Sequence, residues 1–431
     1  MLFYTFPASY CKTYRTGDGC TPDDKNDSGT FDKFRVFLLA LGHFTVDVYA
    51  DMLPPLLTIF NTLYGISYTM MGILTAVFSI TSTLVQPVFG YVADRYGKKW
   101  IAALGVAWIA VGMCVLSIAQ TPGVMLVIVG LAGIGSAMYH PQASAMVSKA
   151  SGSRKGLGMS IFMAGGNIGY AIMTLLTVII VAMFGLSSLL YLIPGGIVVG
   201  LLIYVYAPTM DVDRKSPVDL KTLFASFKSV KGPLAVLLGV VSLRAWVCMG
   251  MITFIGTFYY SGHFIGWTFL GYDIAVIGWS ITLFLFVMSN AVGGIIGGWA
   301  AERFGNKAII APTLIASAPF FYLAFVSPDI FVWPLIAIAG GLMYASISPT
   351  TIMAQELLPR SQAMAGGLVL GFANGVGGLL VFLNGMISDY FHDPFAGLLV
   401  LIGIIVLSGL LAILLPGKPE KVPAPVPVTG H

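Results

Sequence analysis

Two stretches of this chain decide its fold: Gly90-Tyr91-Val92-Ala93-Asp94-Arg95-Tyr96-Gly97-Lys98-Lys99 and Gly298-Trp299-Ala300-Ala301-Glu302-Arg303-Phe304-Gly305-Asn306-Lys307. Matched positions lie 208 residues apart, and each stretch is a short charged segment between long apolar runs. The same 208-residue offset relates Pro141 to Pro349, and Asn167 and Asn374 are 207 apart. A unit of about half the chain has been duplicated in parallel.

The surrounding composition sets the environment. The 431 residues are 57% hydrophobic and 9% charged, against about 25% charged in a soluble globular chain. A helix needs about 20 apolar residues to cross a hydrocarbon core, and runs of that length recur. Segments such as 396–415 are apolar on every side, whereas a β-barrel strand alternates apolar and polar residues. The fold class is therefore an all-α membrane protein of twelve transmembrane helices in two parallel six-helix repeats. The spans fall near 35–60, 68–93, 99–120, 123–148, 156–183, 187–207, 233–261, 272–300, 307–327, 330–357, 361–390 and 395–415.

These spans divide the chain into a tail (1–33), a first six-helix bundle (34–207), a central loop (208–231), a second bundle (232–416) and a proline-rich tail (417–431). The first tail mixes both signs of charge and lacks the apolar core and cleavage site of a signal peptide. Cys11 and Cys20 lie in that tail, and Cys114 and Cys248 lie in apolar segments; their spacing matches neither a disulfide framework nor a zinc site.

Basic residues collect on the cytoplasmic side of a membrane. Of the 22 Lys and Arg, 21 map to one side, in the tails, the central loop and the loops after even-numbered spans. Both termini are therefore expected in the cytoplasm, in a multi-pass protein of the inner (cytoplasmic) membrane. The exception is Arg244, inside the seventh span. The small, dispersed net charge of +4 gives no footprint for nucleic acid.

Two halves related by an axis along the membrane normal form a transporter architecture, with the site near the midplane between them. The Gly-x-x-x-Asp-Arg-x-Gly-Lys-Lys loop resembles the signature of the major facilitator superfamily. More narrowly, Gly42-His43 with Asp47, Gly135-Ser136-Ala137 with His140-Pro141, and Ser160-Ile161-Phe162 with Gly165-Gly166-Asn167 resemble the fosmidomycin resistance protein family, which are drug exporters. That resemblance implies efflux. One departure is Met173-Thr174, which stands where those relatives usually carry a Gly-Pro pair associated with antiport.

Ionisable residues inside spans are costly and mark function. His43, Asp47 and Asp51 are spaced i, i+4, i+8 and share one helix face. Asp47 lies about 16 Å in from Val36, roughly half a bilayer core. A carboxylate in a poorly solvated cavity can take up and release a proton near neutral pH. Asp47 is thus read as the proton carrier with His43 as its tuning partner. The alternative is a structural pairing of Asp47, and Asp51 is either a second carrier or a solvated group.

His140 precedes Pro141, whose ring is expected to kink the fourth span as Pro349 kinks the tenth. The histidine either binds substrate or caps carbonyls that the proline frees. Arg244 keeps its charge, and its fork suits a carboxylate or phosphonate; equally it pairs with Asp47 or a carbonyl. Its depth reads as mid-span when counted from Pro233, and as the cytoplasmic end when aligned with Val36. Asn167, Asn290, Asn374 and Gln86 are further polar groups available to a cavity.

In the superfamily, the Asp at the Asp94 position meets the N-terminal end of a helix from the other half, while the basic residues hold the cytoplasmic gate closed. The resemblance thus implies a conformational latch made of Gly90, Asp94, Arg95, Gly97, Lys98 and Lys99, with Glu302 and Arg303 as the repeat's version. Glycines four apart (Gly165 and Gly169, Gly293 and Gly297, Gly294 and Gly298, and Gly367, Gly371 and Gly375) mark faces where helices approach closely.

The functional expectation is a proton-coupled secondary transporter exporting a small organic compound or drug by alternating access. A symporter importing an organic anion or nutrient is the alternative. An intramembrane enzyme or a sensor is a third class. An enzyme would need a nucleophile with its base, or a metal cluster, and the sequence shows no His-Glu-x-x-His-type spacing. A sensor would need a soluble domain. No cofactor, no bound metal and no ATP use are expected. The partners are a small-molecule substrate, protons and the bilayer, and the chain is read as a monomer.

Overall fold

The computed structural model describes residues 30–96, 99–209, 230–260, 262, 268–269, 272–273, 275–358 and 368–417. Gly97, Lys98, Arg360, most of the central loop and both tails, with Cys11 and Cys20, lie outside them. Among the described residues, ten helical segments are long and apolar enough to cross a membrane. Trp100–Leu116 and Ala373–Phe391 complete twelve spans. Their ends match the sequence boundaries to within a few residues, with two exceptions. The eighth span begins at Ala275, because Thr268–Phe269 and Tyr272–Asp273 pair as a minimal antiparallel hairpin. The eleventh begins with a π-helical turn at Leu368–Phe372, its earlier positions lying outside the described residues.

Several spans are interrupted for local reasons. The first is two helices, Lys33–Ala50 and Leu53–Tyr64. The join at Asp51-Met52 precedes Pro54 and Pro55, which fit the first turn of a new helix because no N–H is needed there. Gly65 then ends the span at φ 61°, and the Ser67 side chain caps the second span by accepting from the Met70 N–H at 3.1 Å. The second span passes through a π-helical turn, Ile80–Leu84, before Gln86–Tyr96.

The expected proline kinks are not symmetric. In the tenth span, the chain breaks between Asp329–Tyr344 and Ile347–Leu357, just ahead of Pro349. In the fourth, Pro141 sits inside an unbroken helix, Pro122–Ala150.

Close packing follows the small residues. Side chains at Gly165 and Gly169 would run into the backbone carbonyls of Ala40 and Phe44, so the first and fifth spans touch backbone to backbone. The eighth and tenth spans do the same, where Gly293 and Gly297 face the carbonyls of Gly341 and Ala345. The most apolar stretch of the first span is 67% buried, whereas that of Leu186–Tyr206 is 22% buried. The first span is therefore central, and the sixth turns its apolar surface to lipid.

The two ends of the bundle are built differently. At the signature-loop end, Lys99 Nζ, Arg35 Nε and Lys149 Nζ donate to the carbonyls of Val205, Tyr206 and Thr209 at 3.0, 3.3 and 3.0 Å. Cations belong at a helix C-terminus, where carbonyls lack partners. At the opposite end, the two halves are tied together. Asp389 accepts from the backbone N–H groups of Tyr68 and Thr69 at 2.9 and 2.8 Å. The hydroxyls of Thr58 and Thr257 meet at 3.3 Å, and those of Thr75 and Thr253 at 3.1 Å.

Candidate functional site

The first, fourth and fifth spans bring three of the sequence candidates together. Gly165 and Gly169 let the fifth span approach the first, which sets Gly166 against the His43–Asp47 face. A Cβ at Gly166 would lie 2.5 Å from both Asp47 Oδ2 and His43 Nε2. From the fourth span, Tyr139 donates its hydroxyl to the Leu39 carbonyl at 2.5 Å, which fixes His140 beside the same carboxylate. His43 Nε2 is 3.3 Å from Asp47 Oδ2, and His140 Nε2 is 3.5 Å from Asp47 Oδ1. The His43 ring stacks on Phe162 at 4.2 Å and meets His140 edge-on at 5.0 Å.

The far side of each imidazole fixes its chemistry. His43 Nδ1 lies 2.8 Å from the Phe162 carbonyl oxygen, and His140 Nδ1 lies 2.9 Å from that of Ser136. A carbonyl only accepts, so both Nδ1 atoms carry hydrogen. Each neutral ring then turns the lone pair of Nε2 toward a carboxylate oxygen. Lone pairs facing lone pairs repel, so the trio coheres when a cation lies between them. His140 does not repair the proline: Ser136 O is one residue before the carbonyl that Pro141 leaves without its usual donor.

Arg244 builds a second centre. It stands midway along Lys231–Tyr260, which settles its depth at mid-span, and it is 3% exposed. Its Nη1 donates to Ser346 Oγ at 3.0 Å and to Thr350 Oγ1 at 3.4 Å, at the break of the tenth span. The guanidinium lies over the Tyr344 ring at 5.8 Å. Among the described residues, no carboxylate lies within ion-pair distance of it. Asp47 is engaged by the two histidines instead. Asp51, half-buried at the break of the first span, lies within electrostatic reach of Asp47, Tyr170, Cys248 and Tyr344. Cys248 Sγ and Tyr344 Oη are 3.2 Å apart beside Arg244.

Other candidates are placed elsewhere. Gln86 donates to the Ser82 carbonyl at 2.8 Å and so serves the π-helical turn. Asn167 is exposed, Asn374 is half-buried after the π-turn of the eleventh span, and Asn290 is buried. Gly90 packs near Pro141, with 3.7 Å from its would-be Cβ. Asp94 and Arg95 end the helix Gln86–Tyr96, their side chains outside the described set. Lys99 spends its ammonium within the first half. Glu302 and Arg303 are exposed, with Arg303 over the Phe304 ring at 5.7 Å. The sequence reading missed Asp389, which resembles a solvated carboxylate at the end of an apolar helix. Its signal was the helix start at Ser67-Tyr68, which needs an acceptor.

The chain is similar to known proteins over nearly its whole length. The family profile of the Major Facilitator Superfamily matches residues 39–272 and 264–430. The fosmidomycin resistance protein of Escherichia coli (strain K12) is 28% identical over 388 residues, covering 89% of this chain and 93% of that protein. The uncharacterized MFS-type transporter YfnC of Bacillus subtilis (strain 168) is 28% identical over 395 residues, covering 88% and 92%. Among solved structures, a bacterial homologue of the human lysosomal transporter Spinster superposes with a TM-score of 0.76 at 15% identity, over 92% of this chain and 98% of that one. The nucleoside transporter NupG gives 0.72 at 16% identity, over 88% and 98%.

Proposed function

The chain belongs to the Major Facilitator Superfamily, and we propose that within it this protein is a proton-coupled antiporter that exports a small organic anion. It is a multi-pass membrane transporter of the secondary kind and not an enzyme. Proton coupling is supported above all by the commitment of both Nδ1 atoms to backbone carbonyls. With those donors fixed, a proton taken up between Asp47 and either Nε2 joins the trio, and its release loosens it. Asp47 is the carrier, His43 and His140 share its proton, and Asp51 is the neighbour through which its charge reaches the second half.

Arg244 supplies the substrate end. A buried charge without a counter-ion is costly, and its hydroxyl partners leave the charge uncompensated. An anionic substrate completes it through the guanidinium fork. Asn167 and Asn374 are assigned to the substrate path, while Gln86 serves the π-turn through the Ser82 carbonyl. The two bundles, 34–207 and 232–416, rock about this midplane site by alternating access. Asp94 and Arg95, with Lys98 and Lys99, latch the signature-loop end, and Asp389 ties the other. Both termini face the cytoplasm, and the chain works as a monomer driven by the proton gradient without ATP.

Symport of an organic anion is the second reading. Met173 and Thr174, both buried in the unbroken helix Lys155–Phe184, replace the pair associated with antiport. Everted vesicles separate the two. Accumulation of a labelled phosphonate or organic acid, driven by an acidic interior and abolished by a protonophore, is the antiport result. Uptake only in right-side-out vesicles would overturn the export direction.

A further inference from the structure

We propose that the His43–Asp47–His140 trio is also a binding site for a zinc-class divalent ion. His43 Nε2, His140 Nε2 and one Asp47 oxygen would be the ligands. A tetrahedral ion with bonds of about 2.0–2.1 Å holds its ligand atoms roughly 3.3 Å apart. His43 Nε2 is 3.3 Å from Asp47 Oδ2 and His140 Nε2 is 3.5 Å from the other oxygen, Oδ1, and one ligand atom from each of the three residues lies within 4.8 Å of the others. A turn of the carboxylate that sets one oxygen against both nitrogens, with closure of the edge between the nitrogens, completes the ligand triangle.

Three further observations fit a metal. Ligating histidines donate their other ring N–H to a carbonyl or carboxylate, which orients the lone pair at the ion. Both rings do this, to Phe162 O and Ser136 O. Two imidazoles and one carboxylate form the donor set of open zinc centres, whose fourth position takes water or substrate. Here the side chains of Asp47 and His140 are 20% and 24% exposed, so that position is reachable. Finally, the absence of a side chain at Gly166 leaves the space beside Asp47 Oδ2 and His43 Nε2 clear. A search for local ligand spacing misses such a centre, because His140 comes from another span.

One Asp leaves a bound divalent ion with a net positive charge, which favours an anionic donor in the fourth position. The assignment rests on ligand geometry alone, so its failure leaves the proton reading standing.

The test uses the purified full-length protein, without a histidine tag, in lipid nanodiscs. Titration with cobalt chloride should produce the intense visible d–d absorption of a tetrahedral ion, saturating at one equivalent, and zinc chloride should displace it. Changing an outer-shell partner costs roughly 10- to 100-fold in affinity, so losing a ligand in His140→Ala or Asp47→Asn should cost more than about 100-fold. The His392→Asn variant, at a helix end far along the chain, should bind as the parent does. Thermal melting confirms that each variant is folded; if one is not, the other carries the comparison. No tetrahedral spectrum in the parent, or an unchanged one in the folded ligand variant, overturns the site.

Discussion

The first half of this transporter gathers His43, Asp47 and His140 into one close cluster, while the second half holds Arg244 among hydroxyls and an aromatic ring. The scaffolds match, down to the 208-residue offset that relates Gly169, packed on the backbone of Phe44, to Gly377, packed on that of Ala245 and Trp246. Their chemistry does not. A titratable cluster can change charge during a cycle, whereas a guanidinium cannot. The difference teaches that duplication copied the packing and left the polar positions free to diverge. On the proposed reading, one half serves the proton and the other the anion.

The comparison can be broken most directly at Asp47. In Asp47→Asn, proton-driven transport should fall to background and lose its pH dependence; transport with the wild-type pH profile would remove the carrier. Arg244→Lys keeps the charge but loses the planar fork. Charge-assisted hydrogen bonds contribute about 1.5–3 kcal/mol, so substrate affinity should weaken roughly 10- to 100-fold, read as KM or by calorimetry. Gly166→Ala puts a methyl against Asp47 and His43. Overpacking costs about 1–3 kcal/mol, and counterflow exchange should slow roughly tenfold while the protein still reaches the membrane; an unaffected rate would show that the trio tolerates a wider spacing. The smallest effect is expected at Asp389→Asn. A carboxylate at a helix N-terminus contributes about 0.3–1 kcal/mol, so the population open at that end should rise about two- to fivefold. Spin labels at Leu63 and Tyr390, both exposed, report it; an unchanged distance distribution removes Asp389 as a tie.

Much of the fold was legible because hydrocarbon imposes a one-dimensional code. Span length, basic loops and the repeat can each be counted along the chain. The His43–Asp47 pair was legible for the same reason, since i and i+4 share a helix face. What joins across spans was not. His140 was a candidate, yet nothing local tied it to Asp47, because that contact depends on how the fourth span, anchored by Tyr139 on the Leu39 carbonyl, sits against the first. Ser346 and Thr350 look like ordinary small polar residues until the break before Pro349 turns them to Arg244. Pro141 gave the opposite lesson. The same residue type at the same repeat position leaves one helix continuous and stands just beyond a break in the other, so proline marks a weak point whose yielding is decided by its neighbours.

The contact between the second and eleventh spans has a further consequence. Gly385 meets the Tyr68 carbonyl, and a Cβ at Gly72 would come within 2.6 Å of Phe382 Cα, so the seam has no side chain to spare and no width for a file of water. A carrier coupled to protons, as proposed, would sit across the voltage its cell stores, and any continuous wire of water would discharge it. Glycine here would serve as insulation, because at Gly72 and Gly385 the two walls meet as bare backbone.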